Sequence, residues 1–126
     1  MYDVQDIKIY RNAMKLLVPL QRLANLIPVS DSRLRTQLLD AARSIPAHIT
    51  EGFAKRRSQK EFRRFLEMAI GSSDETKTHL SVVRIAQFPE IKDITCVALI
   101  GKYTIISKQI NKYIQAVSKH ISKSDI

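Results

Sequence analysis

The chain has 126 residues, of which 44% are hydrophobic and 26% charged, with a formal net charge of +9 at pH 7, three glycines and one cysteine. A chain this long forms one domain, spanning 1–126, around one core, and a lone cysteine excludes an internal disulfide and any paired-cysteine metal site. Few glycines favour helices over hairpins, and the charge predicts an anionic partner: nucleic acid, an acidic protein or a membrane surface.

The first twelve residues, MYDVQDIKIYRN, are charged and lack an apolar run. They read as neither signal peptide nor membrane anchor, and a cytoplasmic protein is expected. Ile9, Ala13, Leu16, Leu17, Leu20, Leu23, Ala24 and Ile27 recur at helical spacing, which predicts a first helix over about Ile7 to Leu26, kinked at Pro19. Pro28 to Ser32 ends it and offers capping oxygens for a second helix starting near Asp31.

The second helix carries LLDAARSIPAHITEGF from Leu38 to Phe53. Leu34, Leu38, Ala41, Ala42, Ile45, Ile49 and Gly52 share one side, with Asp40, Arg43 and Ala47 opposite. Pro46 has no amide hydrogen for the Ala42 carbonyl, so a bend costing about 3 kcal/mol is expected here. The helix is expected to fray from Gly52 to Arg57. Ser58 and Glu61 then have the spacing of a reciprocal capping box, opening a third helix whose apolar side holds Phe62, Phe65, Leu66, Ala69, Ile70, Ser73, Leu80 and Val83.

Phe88-Pro89 closes that helix, and Asp93 is placed to cap a fourth. One face of it collects Cys96, Leu99, Tyr103, Ile106, Ile110, Ile114, Val117 and Ile121, so Cys96 is expected to be a packed core thiol. Lys108, Lys112, Lys119 and Lys123 lie nearly opposite. In the first half, Ile94, Ala98, Gly101 and Ile105 form a second apolar stripe on the lysine side. A helix apolar on two sides has two partners, and the second is expected to be another subunit, with scattered surface apolar residues as the alternative. Four helices with short links predict an all-α, up-down-up-down antiparallel four-helix bundle.

SIPAHITEGF at Ser44 to Phe53 and KRRSQKEFRRFLEMAIGSSDE at Lys55 to Glu75 resemble a known pattern, SIPANIAEGFGR followed by EFIRFLEIARGSLAE. It belongs to the small bacterial four-helix-bundle proteins encoded in intervening sequences of large-subunit ribosomal RNA. The accessory variability determinant proteins of diversity-generating retroelements share that fold family. The similarity spans about Leu34 to Leu80. It implies a non-enzymatic homopentamer, and for the retroelement branch a basic surface that binds nucleic acid and a reverse transcriptase. His48, Thr50 and Lys55 depart from the pattern, which has Asn, Ala and Arg there.

The densest charge is Lys55, Arg56, Arg57, Lys60, Arg63 and Arg64, against Glu61 alone within that span. Phosphate oxygens accept from Arg and Lys, and the amides opening the third helix add positive potential, so an RNA or RNA–DNA backbone can dock here. A solvated basic turn is the other reading. Arg43 and the lysines of the fourth helix, Lys108, Lys112, Lys119 and Lys123, extend the candidate set, with a plain solubility face as their alternative. No aromatic stacking cluster or recognition-helix motif accompanies the charge, so sequence-specific readout is not expected.

His48 with Glu51, and Glu75 with His79, do not follow the Glu-x-x-His arrangement of di-iron bundles, and Ser44, Ser72 and Ser73 lack a base and an orienting acid nearby. Neither metal, cofactor nor catalysis is expected. The functional expectation is a nucleic-acid-binding adaptor. A module for an acidic protein, such as a reverse transcriptase domain, is the alternative.

Overall fold

The computed structural model describes residues 3–124, with side chains up to Ser118. Four helices follow in order: α1 over Lys8–Asn25, α2 over Ser32–Ala54, α3 over Gln59–Ala86 and α4 over Asp93–Ser124. Short 3₁₀ turns at Val4–Asp6 and Val29–Asp31 precede α1 and α2, and no strand occurs among the described residues.

Pairings between helices establish the antiparallel order. Arg43 of α2 donates to Gln21 of α1, while Arg35, nearer the start of α2, donates to the carbonyl of Ile27 just after α1. His48 and Gly52 of α2 meet Phe65 and Phe62 of α3. Along α3 and α4, Phe62 meets Tyr113, Ser73 meets Tyr103 and Ser107, and Arg84 meets Asp93. Asn12 of α1 donates to Gln109 of α4 at 3.0 Å and closes the square.

The core is the one the helical periodicity defines. Leu20, Leu38, Ile45, Ile49, Leu66, Leu80 and Ile110 are fully buried, each worth about 1.5–3 kcal/mol relative to exposure. Leu16, Leu17 and Ile70 pack at its edge as half-buried residues, and Cys96 is buried. Pro46 sits inside continuous helix between Ile45 and Ile49 and is itself buried, so these contacts offset the hydrogen bond its ring removes. The Thr50 hydroxyl donates to the Pro46 carbonyl at 2.9 Å.

Helix ends differ from the sequence expectation in four places. Asp31 makes no side-chain cap, because its amide closes a 3₁₀ turn onto the Pro28 carbonyl and the chain enters α2 from that turn. Gly52 does not fray but lies within α2, which stays helical to Ala54. The Lys55 amide continues the ladder onto Glu51, and the Arg56 guanidinium donates to the Phe53 carbonyl at 2.9 Å.

Ser58 does cap α3, accepting from the Glu61 amide at 3.2 Å, but the reciprocal half of the box is missing. Glu61 turns instead to Arg64 at 2.8 Å, and the Ser58 amide bonds to the Lys55 carbonyl. An ion pair one turn away thus wins over a neutral amide. Asp93 is likewise not a cap but the first residue of α4. Its carboxylate accepts from Nε and Nη2 of Arg84, at 2.7 and 3.2 Å, closing the α3–α4 turn, and Gln87 there adopts a left-handed φ of 53°.

Candidate nucleic-acid interface

The short link between Ala54 and Gln59 brings the C-terminal end of α2 and the N-terminal turns of α3 to one end of the bundle. All six cations of the cluster, Lys55, Arg56, Arg57, Lys60, Arg63 and Arg64, are exposed. They are not equivalent. Lys55 reaches Glu51 at 4.0 Å, Arg63 reaches Glu67 at 3.5 Å and Arg64 reaches Glu61 at 2.8 Å. The end therefore carries six cations against three carboxylates, two more than the span Lys55 to Arg64 contains. Arg57 and Lys60 make no ion pair among the described residues. Both flank the first amides of α3, whose helical acceptors are absent by geometry.

The Arg64 guanidinium, hydrogen-bonded to Glu61, holds that carboxyl below its ordinary range, and Glu61 raises Arg64 in turn. These are exposed, solvent-screened pairs, so a phosphate can displace a glutamate at little cost.

Aromatic rings lie directly beneath this charge, buried rather than open to a base. Arg56 sits 4.0 Å from the centroid of Phe53, and Phe65 has Arg64 at 4.7 Å and Lys55 at 4.9 Å. Phe62 packs edge-on to Tyr113 of α4 at 5.8 Å. Phe53, Phe62 and Phe65 are buried and belong to the apolar faces, so the cations form the lid of the core at this end. The sequence signal was present in Phe53 and Arg56 at i, i+3 and in the adjacent Arg64-Phe65, hidden because these phenylalanines also fit the core periodicity.

Lys112, beside Tyr113, is exposed at this same end, and Lys108 lies one turn back on the outer face of α4. The side chains of Lys119 and Lys123 lie outside the described residues. Arg43 is twelve residues before Lys55 on α2, roughly 18 Å along the helix, and its guanidinium donates to Gln21 at 2.9 Å. The fold does not gather it into the cluster.

Ile94, Ala98, Gly101 and Ile105 are all exposed on the outer face of α4, joined by Val97. That face is apolar over its first three turns and basic from Lys108 onward.

No group of three or more His, Cys, Asp or Glu side chains converges among the described residues. His48 packs near the Phe65 ring, Glu51 pairs with Lys55, and His79 meets Glu75 at 3.4 Å. Ser73 accepts from Ser107 at 2.8 Å and donates to the Tyr103 carbonyl at 3.1 Å, which places it in the core. The groove between α1 and α4 contains Lys15 and Lys102 as its ionisable groups. No helix among the described residues is long and apolar enough to cross a membrane.

A family model described as 23S rRNA-intervening sequence protein matches residues 5–121. No curated protein matches the chain.

Proposed function

The chain belongs to the 23S rRNA-intervening sequence protein family, and on that footing we propose that it is a non-catalytic, homo-oligomeric adaptor of the cytoplasm that holds RNA, or an RNA–DNA hybrid, by backbone phosphates. The observation that carries this reading is the pair Arg57 and Lys60, cations without an ion-pair partner among the described residues, beside the amides that open α3. Arg56, Arg63, Arg64 and Lys55 surround them, with Lys112 and Lys108 continuing the field along α4. Lys119 and Lys123 complete the proposed set, and Arg43, held by Gln21 away from this end, is not in it.

Assembly is proposed to run through Ile94, Ala98, Gly101 and Ile105, in a pentamer as the family resemblance implies. Repeating the basic end around a ring multiplies modest individual contacts. A second reading, an acidic protein such as a reverse transcriptase domain on the same end, draws on the pairing of these cations with glutamates.

A binding titration of RNA, DNA and hybrid at two salt concentrations tests the proposal. Four phosphate contacts to a single strand weaken binding about 50-fold between 50 and 200 mM salt. Changing Arg56, Arg57, Arg63 and Arg64 together to Gln should remove most of the affinity. Salt-independent binding, or wild-type affinity in that variant, counts against the proposal.

A further inference from the structure

We infer that Arg56 and Arg64 are stacking platforms for the bases of unpaired nucleotides, so that the basic end selects single-stranded RNA over duplex. The inference rests on the nucleic-acid reading above and specifies the ligand it takes. Each guanidinium has one side against a buried ring: Arg56 lies 4.0 Å from the centroid of Phe53 and Arg64 lies 4.7 Å from that of Phe65. Each is also held at its edge, Arg56 by the Phe53 carbonyl at 2.9 Å and Arg64 by the Glu61 carboxylate at 2.8 Å. A guanidinium held over a ring and at one edge keeps its exposed side for a ligand, with Met68 Sδ 4.0 Å from Nη1 of Arg64 as a further contact. Arg64 retains 55% side-chain exposure, and Arg56 is also exposed.

The chemistry that fits such a face is a flat, electron-rich heterocycle. Arginine planes stack on splayed nucleobases, and the ring beneath polarises the stack further. A base cannot reach the phenylalanines directly, because Phe53 and Phe65 are buried under the cations. An A-form duplex offers its backbone and minor groove but no free base faces, so it meets the cations of this end through phosphate contacts alone. Ordering is already in place in the free protein, since both arginines are tethered before a ligand arrives, and less side-chain freedom is lost on binding.

Charge-conserving variants separate stacking from charge. Lysine keeps the positive charge and loses the plane, so Arg56→Lys with Arg64→Lys is the diagnostic protein, Arg57→Lys is its control, and circular dichroism checks that both are helical. The probes are a 12-nucleotide oligoadenylate, an abasic 12-mer with the same phosphates, and a 12-base-pair RNA duplex. In the wild type, oligoadenylate should bind about tenfold or more tighter than the abasic strand. In the Arg56→Lys, Arg64→Lys protein the two should bind alike, with the salt slope unchanged, and Arg57→Lys should keep the preference.

Equal binding of oligoadenylate and abasic strand by the wild type, with steep salt dependence, overturns the stacking inference and leaves phosphate binding standing. A retained preference in the double lysine variant does the same. Binding of none of the three probes at low salt removes both.

Discussion

Gly52 of α2 and Phe65 of α3 approach so closely that a Cβ on Gly52 would lie 3.0 Å from the Phe65 Cβ, with the Phe62 carbonyl oxygen at 3.3 Å. Neither neighbour is the movable tip of a side chain. Gly52→Ala gains about 1 kcal/mol of helix propensity, but overpacking at this crossing costs about 1–3 kcal/mol, so a net loss of stability is expected. Gly71→Ala provides the comparison. No atom lies within 4 Å of its built Cβ, and it should gain up to about 1 kcal/mol. Chemical denaturation midpoints of the two variants should move in opposite directions.

That close approach also shows what a sequence reveals and conceals. Leu38, Ile45 and Ile49 announce a core face by period alone, as the fold bears out, whereas Gly52, where fraying was expected, is a tight crossing on that same face. Helix caps were less legible. Glu61 and Asp93 each carry a carboxylate at a capping distance along the chain, but Arg64 and Arg84 offer charged donors that a periodic reading does not rank against a backbone amide. The site was half legible for a related reason. Lys55 to Arg64 stand out as charge, whereas Glu51 and Glu67, which offset them, and Phe53 and Phe65, which carry them, become neighbours through helical turns and the α2–α3 crossing.

Tyr103 is fully buried, and its hydroxyl has no hydrogen-bond partner among the described residues. Tyr103→Phe removes that unsatisfied group without opening a cavity, so stability should hold or rise by about 1 kcal/mol. Ser73→Ala should do the reverse. Ser73 joins the Ser107 hydroxyl to the Tyr103 carbonyl, and its loss leaves both without that contact, at a cost of about 1–3 kcal/mol. Thermal unfolding of the two single variants distinguishes these outcomes.

Stability should decline at both extremes of pH. Burial raises the Cys96 thiol and the Tyr103 phenol above their ordinary values of 9.0 and 10.0. Both ionise first in the unfolded chain, so their contribution is full below pH 9 and is lost progressively above it. On the acid side, hydrogen bonds from Arg84 and Arg64 hold Asp93 below 3.8 and Glu61 below 4.5. Lowered carboxylates stabilise above those values, and that contribution is lost as pH falls through their folded ones. Denaturant midpoints from pH 2 to 11 should trace both limbs. Cys96→Ala with Tyr103→Phe should flatten the alkaline limb alone, and Asp93→Asn should flatten part of the acid limb.

The outer face of α4 supplies the assembly test. Ile94 is 74% exposed and Ile105 55%, in one stripe with Ala98 and Gly101, and no helix among the described residues covers them. Because the stripe lies off the core, Ile94→Asp with Ile105→Asp should change the stability of the single chain by no more than about 0.5 kcal/mol per site. A subunit contact across the stripe would then bury two carboxylates without partners, a penalty large enough to separate the subunits. Sedimentation at micromolar concentration should show an oligomer for the wild type and a single chain for the double variant, with equal helicity. A wild type that sediments as a single chain sinks the assembly proposal. A double variant that still assembles places the subunit contact on another face. If assembly multiplies the basic end, the same variant should also weaken RNA binding at 150 mM salt while leaving Arg56 to Arg64 untouched, and the two losses should appear over the same range of protein concentration.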